Sequence, residues 1–286
     1  MAQTRIEYRE KQLTGERALF MTRGADIVDC IFSDGESPLK ESSDITVTNT
    51  SFQWKYPLWY CSDVTVRDSS FFEMARAGIW YTKNISLTDC LYQAPKGFRR
   101  VTGAVLENVD FPHADETLWN CSDIKIHKML ARGDYFAMNS SNLTIDGLNL
   151  AGNYSFDGCS NVTVTNSKLI SKDAFWNCKN VTVKNSYISG EYTGWNSEDV
   201  TFEHCTLESL QGFCYMKNLK IVDCVILNTN LAFEYSTVDV TTRSSIKSVK
   251  NPLGGSISCA GIGELIFDDN AVNAEDTKIT INGKEK

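Results

Sequence analysis

The 286-residue sequence has ten cysteines but no C-x-x-C pair and no cysteine–histidine cluster at zinc-finger spacing. No run of Lys and Arg exceeds two, and the net charge is −8. A phosphate-binding surface needs clustered cations, so nucleic acid is not expected as a partner. The opening stretch MAQTRIEYREKQLTGERALF carries no apolar run. Neither a signal peptide nor a membrane span is expected there, so the predicted location is the cytoplasm, with no membrane partner. A reducing cytosol disfavours disulfides, so the cysteines are expected to be free thiols that fill space.

What the chain does have is a repeat. A polar or glycine anchor precedes a Val-x-Val-type segment at Gly24, Asp44, Asp63, Asn84, Gly103, Asp123, Asn142, Asn161, Asn180, Asp199, Asn218 and Thr237. Successive gaps are 20, 19, 21, 19 and 20 residues, then 19 six times. After each anchor, apolar residues two apart (Val64/Val66, Val162/Val164, Val181/Val183) flank an outward Thr, the period of a strand. Asp, Asn or Gly recurs five positions on, where a tight bend is expected. A second short strand then carries Phe52, Phe71, Phe111, Leu169 or Ile188. A third is expected before the next anchor, with Leu58, Ile79, Phe98, Leu118, Phe156, Phe175 and Phe213 in one column.

Nineteen residues are about half a propeller blade, and the pattern is not leucine-rich. A chain that winds once per repeat fits, each strand pairing in parallel with its copies about 4.8 Å away. Parallel crossovers are right-handed. The predicted fold is therefore all-β: a right-handed parallel β-helix, a single domain of about 12 coils of 19–21 residues. Residues 1–23 form a lead-in or cap with a strand near Ile6–Tyr8, residues 24–246 form regular coils, and 247–286 form irregular C-terminal coils or a cap, with two or three more strands suggested by Ile257, Ile262, Leu265–Phe267 and Ile279–Ile281. Stacked columns of Cys, Ser and Thr (Cys61, Cys121, Cys159 and Cys178; Cys90, Cys205 and Cys224) ask for a small residue inside. Cross-coil disulfides at Cys159/Cys178 and Cys205/Cys224 are geometrically conceivable, with inert thiols the plainer reading. Stacked Asn anchors can bond along the ladder.

Five of the six tryptophans share the column four before the anchor: Trp59, Trp80, Trp119, Trp176 and Trp195. Lys40, Arg99 and Asp157 occupy the same column, so it is expected to face outward. Outward indoles suit stacking on sugar rings or contact with a protein partner; the plain alternative is coverage by a loop or subunit. Charges gather where this ladder breaks: Arg99 and Arg100, then His113, Asp115 and Glu116, then Arg132 and Asp134. Asp115 and Asp134 fall in one column about a coil apart, which suits a carboxylate pair with split pKa values, as in a retaining glycosidase. The plain reading is a solvated corner neutralised by Arg. A calcium site from Asp115, Glu116 and Asp134 is a further option, although nothing in the spacing requires a cofactor. His127 and His204 read as surface residues.

The segments YPLWYCSDVTV (56–66), GIWYTKNISL (78–87), TLWNCSDIKI (117–126), AFWNCKNVTV (174–183) and KNPLGGSI (250–257) are similar to those of the right-handed β-helix proteins of the pectin-lyase-like group. Within that group the chain resembles the bacterial family of domain of unknown function 3737, over nearly its whole length. The resemblance implies the fold and no assigned reaction. The motifs of the better-known relatives are missing: the only Asp-Asp is Asp268-Asp269, and no G-H-G or R-I-K occurs. No catalytic residue is carried over. If the protein is an enzyme, a glycoside hydrolase or polysaccharide lyase-like activity is expected, with Asp115 and Asp134 as its acids. The expected function is carbohydrate binding or processing on the face formed by Trp59, Trp80, Arg99, Arg100, Glu116, Trp119, Asp157, Trp176 and Trp195. The alternative is a non-catalytic scaffold in which the Trp ladder is an oligomer or partner interface.

Overall fold

The structure, a computed structural model, describes residues 5–285. Its chain forms two compact units, Met1–Asn149 and Leu150–Lys286. Both are parallel β-helices, and the only helical element among the described residues is a 3₁₀ turn at Ala274–Asp276. In the first unit the strand after the anchor recurs at Ile6–Arg9, Arg23–Val28, Ser43–Thr48, Ser62–Arg67, Lys83–Tyr92, Thr102–Phe111 and Ser122–Arg132, followed by Ser141–Ala151. Parallel pairing aligns Ala25, Ile45, Val64, Ile85, Ala104 and Ile124 in one buried column. In the second unit it recurs at Ser160–Thr165, Lys179–Lys184, Glu198–Glu203, Leu219–Asn230, Thr237–Thr242, Gly254–Cys259 and Thr277–Ile281. Here Val162, Val181 and Val200 share a column.

Among the described residues, the expected count of about 12 coils is corrected to fifteen. Ile6–Arg9, expected as a lead-in, is a full rung paired with Arg23–Val28. The segment 247–286, expected as irregular coils or a cap with two or three more strands, holds two further rungs: Gly254–Cys259 pairs with Thr237–Thr242, and Thr277–Ile281 pairs with Gly254–Cys259. Antiparallel Lys284–Glu285 then folds back on the last rung. The glycines of KNPLGGSI are needed there. Gly255 has φ +100°, and a Cβ on it would lie 1.9 Å from Val238 O.

A second correction concerns the third side of the coil. Among the described residues, pairing on that side is limited to Ile79–Trp80 with Phe98–Arg99, a bridge from Arg99 to Trp119, and a bridge from Ala232 to Val249 in the strand Ser245–Lys250. Elsewhere the side is a run of turns in which alternate residues are left-handed, for example Asp173, Phe175 and Asn177 at φ 56°, 59° and 53°. Leu118, Phe156 and Phe213 take the same conformation at 62°, 64° and 62°. A non-glycine residue disfavours this region by about 1 kcal/mol or more. The cost is offset by burial and by rung bonds such as Phe175 N–H to Ser155 O at 2.9 Å, and by stacking of Phe156 on Phe175 at 5.0 Å. Of the anchors, all but Thr237 are also left-handed, and, as expected, Asn side chains bond along the ladder: Asn84 to Asp63 at 3.0 Å, Asn142 to Asp123 at 2.9 Å, Asn180 to Asn161 at 2.8 Å.

The small-residue columns do more than fill space. Ser197 Oγ accepts from the Cys178 N–H at 2.8 Å and donates to Phe175 O at 2.7 Å. Ser140 does the same for Cys121 N–H and Leu118 O, at 2.8 and 2.6 Å. Each such side chain staples its own coil to the preceding one at a corner where the ladder is interrupted. Cysteine substitutes because its thiol also donates, as Cys61 does to Leu39 O at 3.1 Å. Ser197→Ala leaves the buried Cys178 N–H and Phe175 carbonyl without this bridge. The expected loss is about 1–3 kcal/mol in urea unfolding, with Ser197→Cys recovering part of it.

A candidate binding site at the aromatic corner

The ladder tryptophans are half-buried, and each indole is tied down. Trp59 Nε1–H donates to Ala77 O, Trp80 to Lys96 O at 2.9 Å, and Trp119 to Tyr135 O at 2.6 Å. In the second unit Trp176 donates to Tyr192 O at 2.8 Å and Trp195 to Gln211 O at 2.7 Å. All five acceptor residues have positive φ. A left-handed turn residue aims its carbonyl away from the ladder, and the indole of the preceding coil closes it. The outward column expected from the sequence therefore has a folding role as well.

In the first unit the rings form one continuous stack. Trp59 and Trp80 lie parallel, 7° apart with centroids at 5.3 Å. The Arg99 guanidinium sits 4.5 Å from the Trp80 centroid and 4.7 Å from that of Trp119, between the two indoles. Glu116 fixes it: its Oε2 accepts from Arg99 Nη2 at 3.0 Å and lies 3.1 Å from Lys96 Nζ. Arg99 thus replaces a tryptophan without interrupting the stack, because a flat cation fits between two π faces. Beside it runs a second stack. Tyr60 and Tyr81 are parallel at 4.7 Å, with Lys40 and Arg100 each 5.7 Å from the adjoining ring.

Next to Trp59 and Trp80 a cleft of about 280 Å³ opens, lined by Tyr56, Trp59, Arg76, Ala77, Trp80, Pro95 and Lys96. Sequence reasoning found only its two tryptophans. Tyr56, Arg76, Pro95 and Lys96 stand seven and eight positions before their anchors, on the turn side, where no common residue type marks a column. Asp115 and Asp134 occupy that same column further along. The Asp115 carboxylate acts as a corner staple, its Oδ1 accepting the Asp134 backbone N–H at 2.9 Å. His113 Nδ1 lies 3.1 Å from Gln93 O, and His127 Nδ1 lies 3.1 Å from Asp146.

In the second unit Trp176 and Trp195 stack at 5.8 Å, and Asp157 accepts from Asn177 Nδ2 at 2.9 Å. Two acids of this unit are buried: Glu234, which lies 3.1 Å from Lys250 Nζ, and Asp173, 3% exposed, whose Oδ1 has no hydrogen-bond partner. Burial pushes its carboxyl up, Lys172 opposes the shift, and Glu191 and Asp157 add to it. A carboxyl whose folded value is raised favours the fold while protonated, and that contribution is lost as pH rises past the unfolded value of about 3.9. Asp173→Asn is therefore expected to be more stable than the wild type at pH 7. The gap should close as thermal melts are repeated toward pH 4.

All ten cysteines are buried, and none is in a disulfide. Burial pushes the thiols of Cys61, Cys121 and Cys214 up to about 12 and that of Cys90 to about 11. Raised thiols of this kind stay protonated at neutral pH, which disfavours nucleophilic chemistry at these four positions. No group of three or more His, Cys, Asp or Glu able to hold a metal ion occurs among the described residues, and no helix there is long and apolar enough to cross a membrane.

Among solved structures, the chain is similar to the A-module of the mannuronan C-5 epimerase AlgE4 of Azotobacter vinelandii. The identity is 12%, the TM-score 0.36, and the match covers 82% of this chain and 87% of that one. The tailspike protein of the E. coli bacteriophage HK620 matches at 9% identity and TM-score 0.35, covering 93% of this chain and 69% of that one. No curated protein matches the sequence. A family model matches residues 6–280, and the chain belongs to that family, described as a protein of unknown function (DUF3737).

Proposed function

We propose that the protein binds a carbohydrate at the aromatic corner of its first unit, in the cytoplasm, without cleaving it. The observation that carries this reading is the cleft bounded by Tyr56, Trp59, Trp80 and Pro95, whose apolar walls suit the C–H face of a sugar ring. The faces of Trp80 are taken up by Trp59 and Arg99, so the ligand meets the indole edges that line the cleft beside Tyr56 rather than entering between the rings. The pre-stacked rings lose little conformational freedom on binding. Binding is favoured over catalysis because Asp115 is engaged with backbone and Glu116 with two cations. A panel of oligosaccharides titrated against the protein tests the reading: binding is expected to quench Trp fluorescence, with no new reducing ends. New reducing ends that disappear in Asp115→Asn or Asp134→Asn would return those two residues to the role of catalytic acids.

The second reading, a non-catalytic scaffold, draws on the Tyr60–Tyr81 stack, in which Tyr60 is 49% exposed. It expects a homo-oligomer by light scattering that dissociates on Trp119→Ala or Trp176→Ala. A monomer that responds to oligosaccharide supports the first reading.

A further inference from the structure

Arg76 stands at the rim of the aromatic cleft, exposed. Its guanidinium makes no ion pair or hydrogen bond among the described residues. The neighbouring cations are engaged: Lys55 pairs with Glu36 at 3.0 Å, and Lys96 and Arg99 share Glu116. No carboxylate lines the cleft; its ionic groups are Arg76 and Lys96 alone. On a chain of net charge −8, this is a local positive opening set against apolar walls. At about 280 Å³ the space is at the lower edge of pockets for drug-sized ligands, about 300 Å³ and upward, and suits a single ring.

Resting on the carbohydrate reading above, we infer that the cleft selects a sugar ring bearing an oxyanion, with the ring on Trp59, Trp80 and Tyr56 and the anion on Arg76. A guanidinium presents paired N–H donors that match the oxygens of a sulfate, phosphate or carboxylate. Apolar walls beside the Arg lower the local dielectric, which strengthens the charge-assisted bond relative to a fully hydrated pair. Arg76 is the specificity-determining residue, and the aromatic walls supply affinity common to charged and neutral rings.

Three matched probes separate the parts: methyl glucoside, its 6-sulfate and the corresponding uronate. They are titrated against ¹⁵N-labelled full-length protein while the Trp indole N–H signals are followed by NMR. The expected result is that one or both anionic probes bind at least tenfold more tightly than methyl glucoside. That preference should fall at least tenfold in Arg76→Ala and persist in part in Arg76→Lys. Tighter binding of the sulfate identifies an ester-bearing ligand, and tighter binding of the uronate a carboxylated one; either supports the inference. Equal binding of all three, or a preference unchanged in Arg76→Ala, overturns it while leaving the carbohydrate reading intact. If none of the three moves a Trp signal but neutral oligosaccharides quench fluorescence, the inference fails alone. If no saccharide has any effect, both fail.

Discussion

Phe71→Ala is expected to destabilise the protein by about 3–5 kcal/mol, read as the shift in urea midpoint at constant slope. Phe71 is fully buried in a stack of rings, with Phe52 at 4.7 Å and Tyr92 at 4.6 Å. Phe32 and Phe111 continue the same stack at 5.0 Å steps. In a solenoid each coil touches only its neighbours, so a cavity in one rung has no distant side chain to fill it. Phe71→Leu keeps most of the volume and should lose less than half as much. Equal losses for the two variants would mean that ring stacking, rather than filled volume, dominates this column.

Trp80→Ala is expected to weaken saccharide binding at least tenfold and to cost about 2–3 kcal/mol of stability, in line with truncation of a central aromatic anchor. The ring lies between Trp59 and Arg99, closes the Lys96 carbonyl and forms a wall of the cleft. Trp80→Phe separates these roles. A phenyl ring keeps a stack and an apolar wall but cannot donate to Lys96 O. The variant is therefore expected to lose about 1 kcal/mol of stability while holding affinity within a few-fold. If Trp80→Ala destabilises the fold yet binds saccharide as the wild type does, the indole is a structural clamp and the cleft is not the binding site.

The coil was legible in the sequence because in-register parallel stacking gives every copy of a position the same surroundings. Val64 and Val181 sit in equivalent places, so their residue type repeats, and the left-handed anchors draw Asn, Asp and Gly for a conformational reason. The rungs at Ile6–Arg9, Gly254–Cys259 and Thr277–Ile281 were legible only as extra strands, because end coils face different neighbours and lose the anchor pattern. The third side was misread as a strand because Phe175 and Phe213 look like strand residues, whereas their φ angles are positive. Nothing in residue type announces a bulky side chain in that region; burial, ring stacking and the rung hydrogen bonds hold it there. The Trp column was visible, but its partners are backbone carbonyls 16 to 18 residues on, which carry no residue signature. Arg76 and Pro95 were missed for the same reason: a cleft made at turns draws its walls from columns that share a position and not a chemistry.

The most direct test of the proposed site is to follow the six Trp indole signals of the intact protein by ¹⁵N NMR during titration with a saccharide that binds, with assignments from single Trp→Phe variants. The signals of Trp59 and Trp80 are expected to move along one binding curve, while those of Trp176 and Trp195 stay in place. Movement confined to Trp176 and Trp195, or unchanged Trp59 and Trp80 signals at saturation, would contradict the assignment of the first unit's aromatic corner as the binding site.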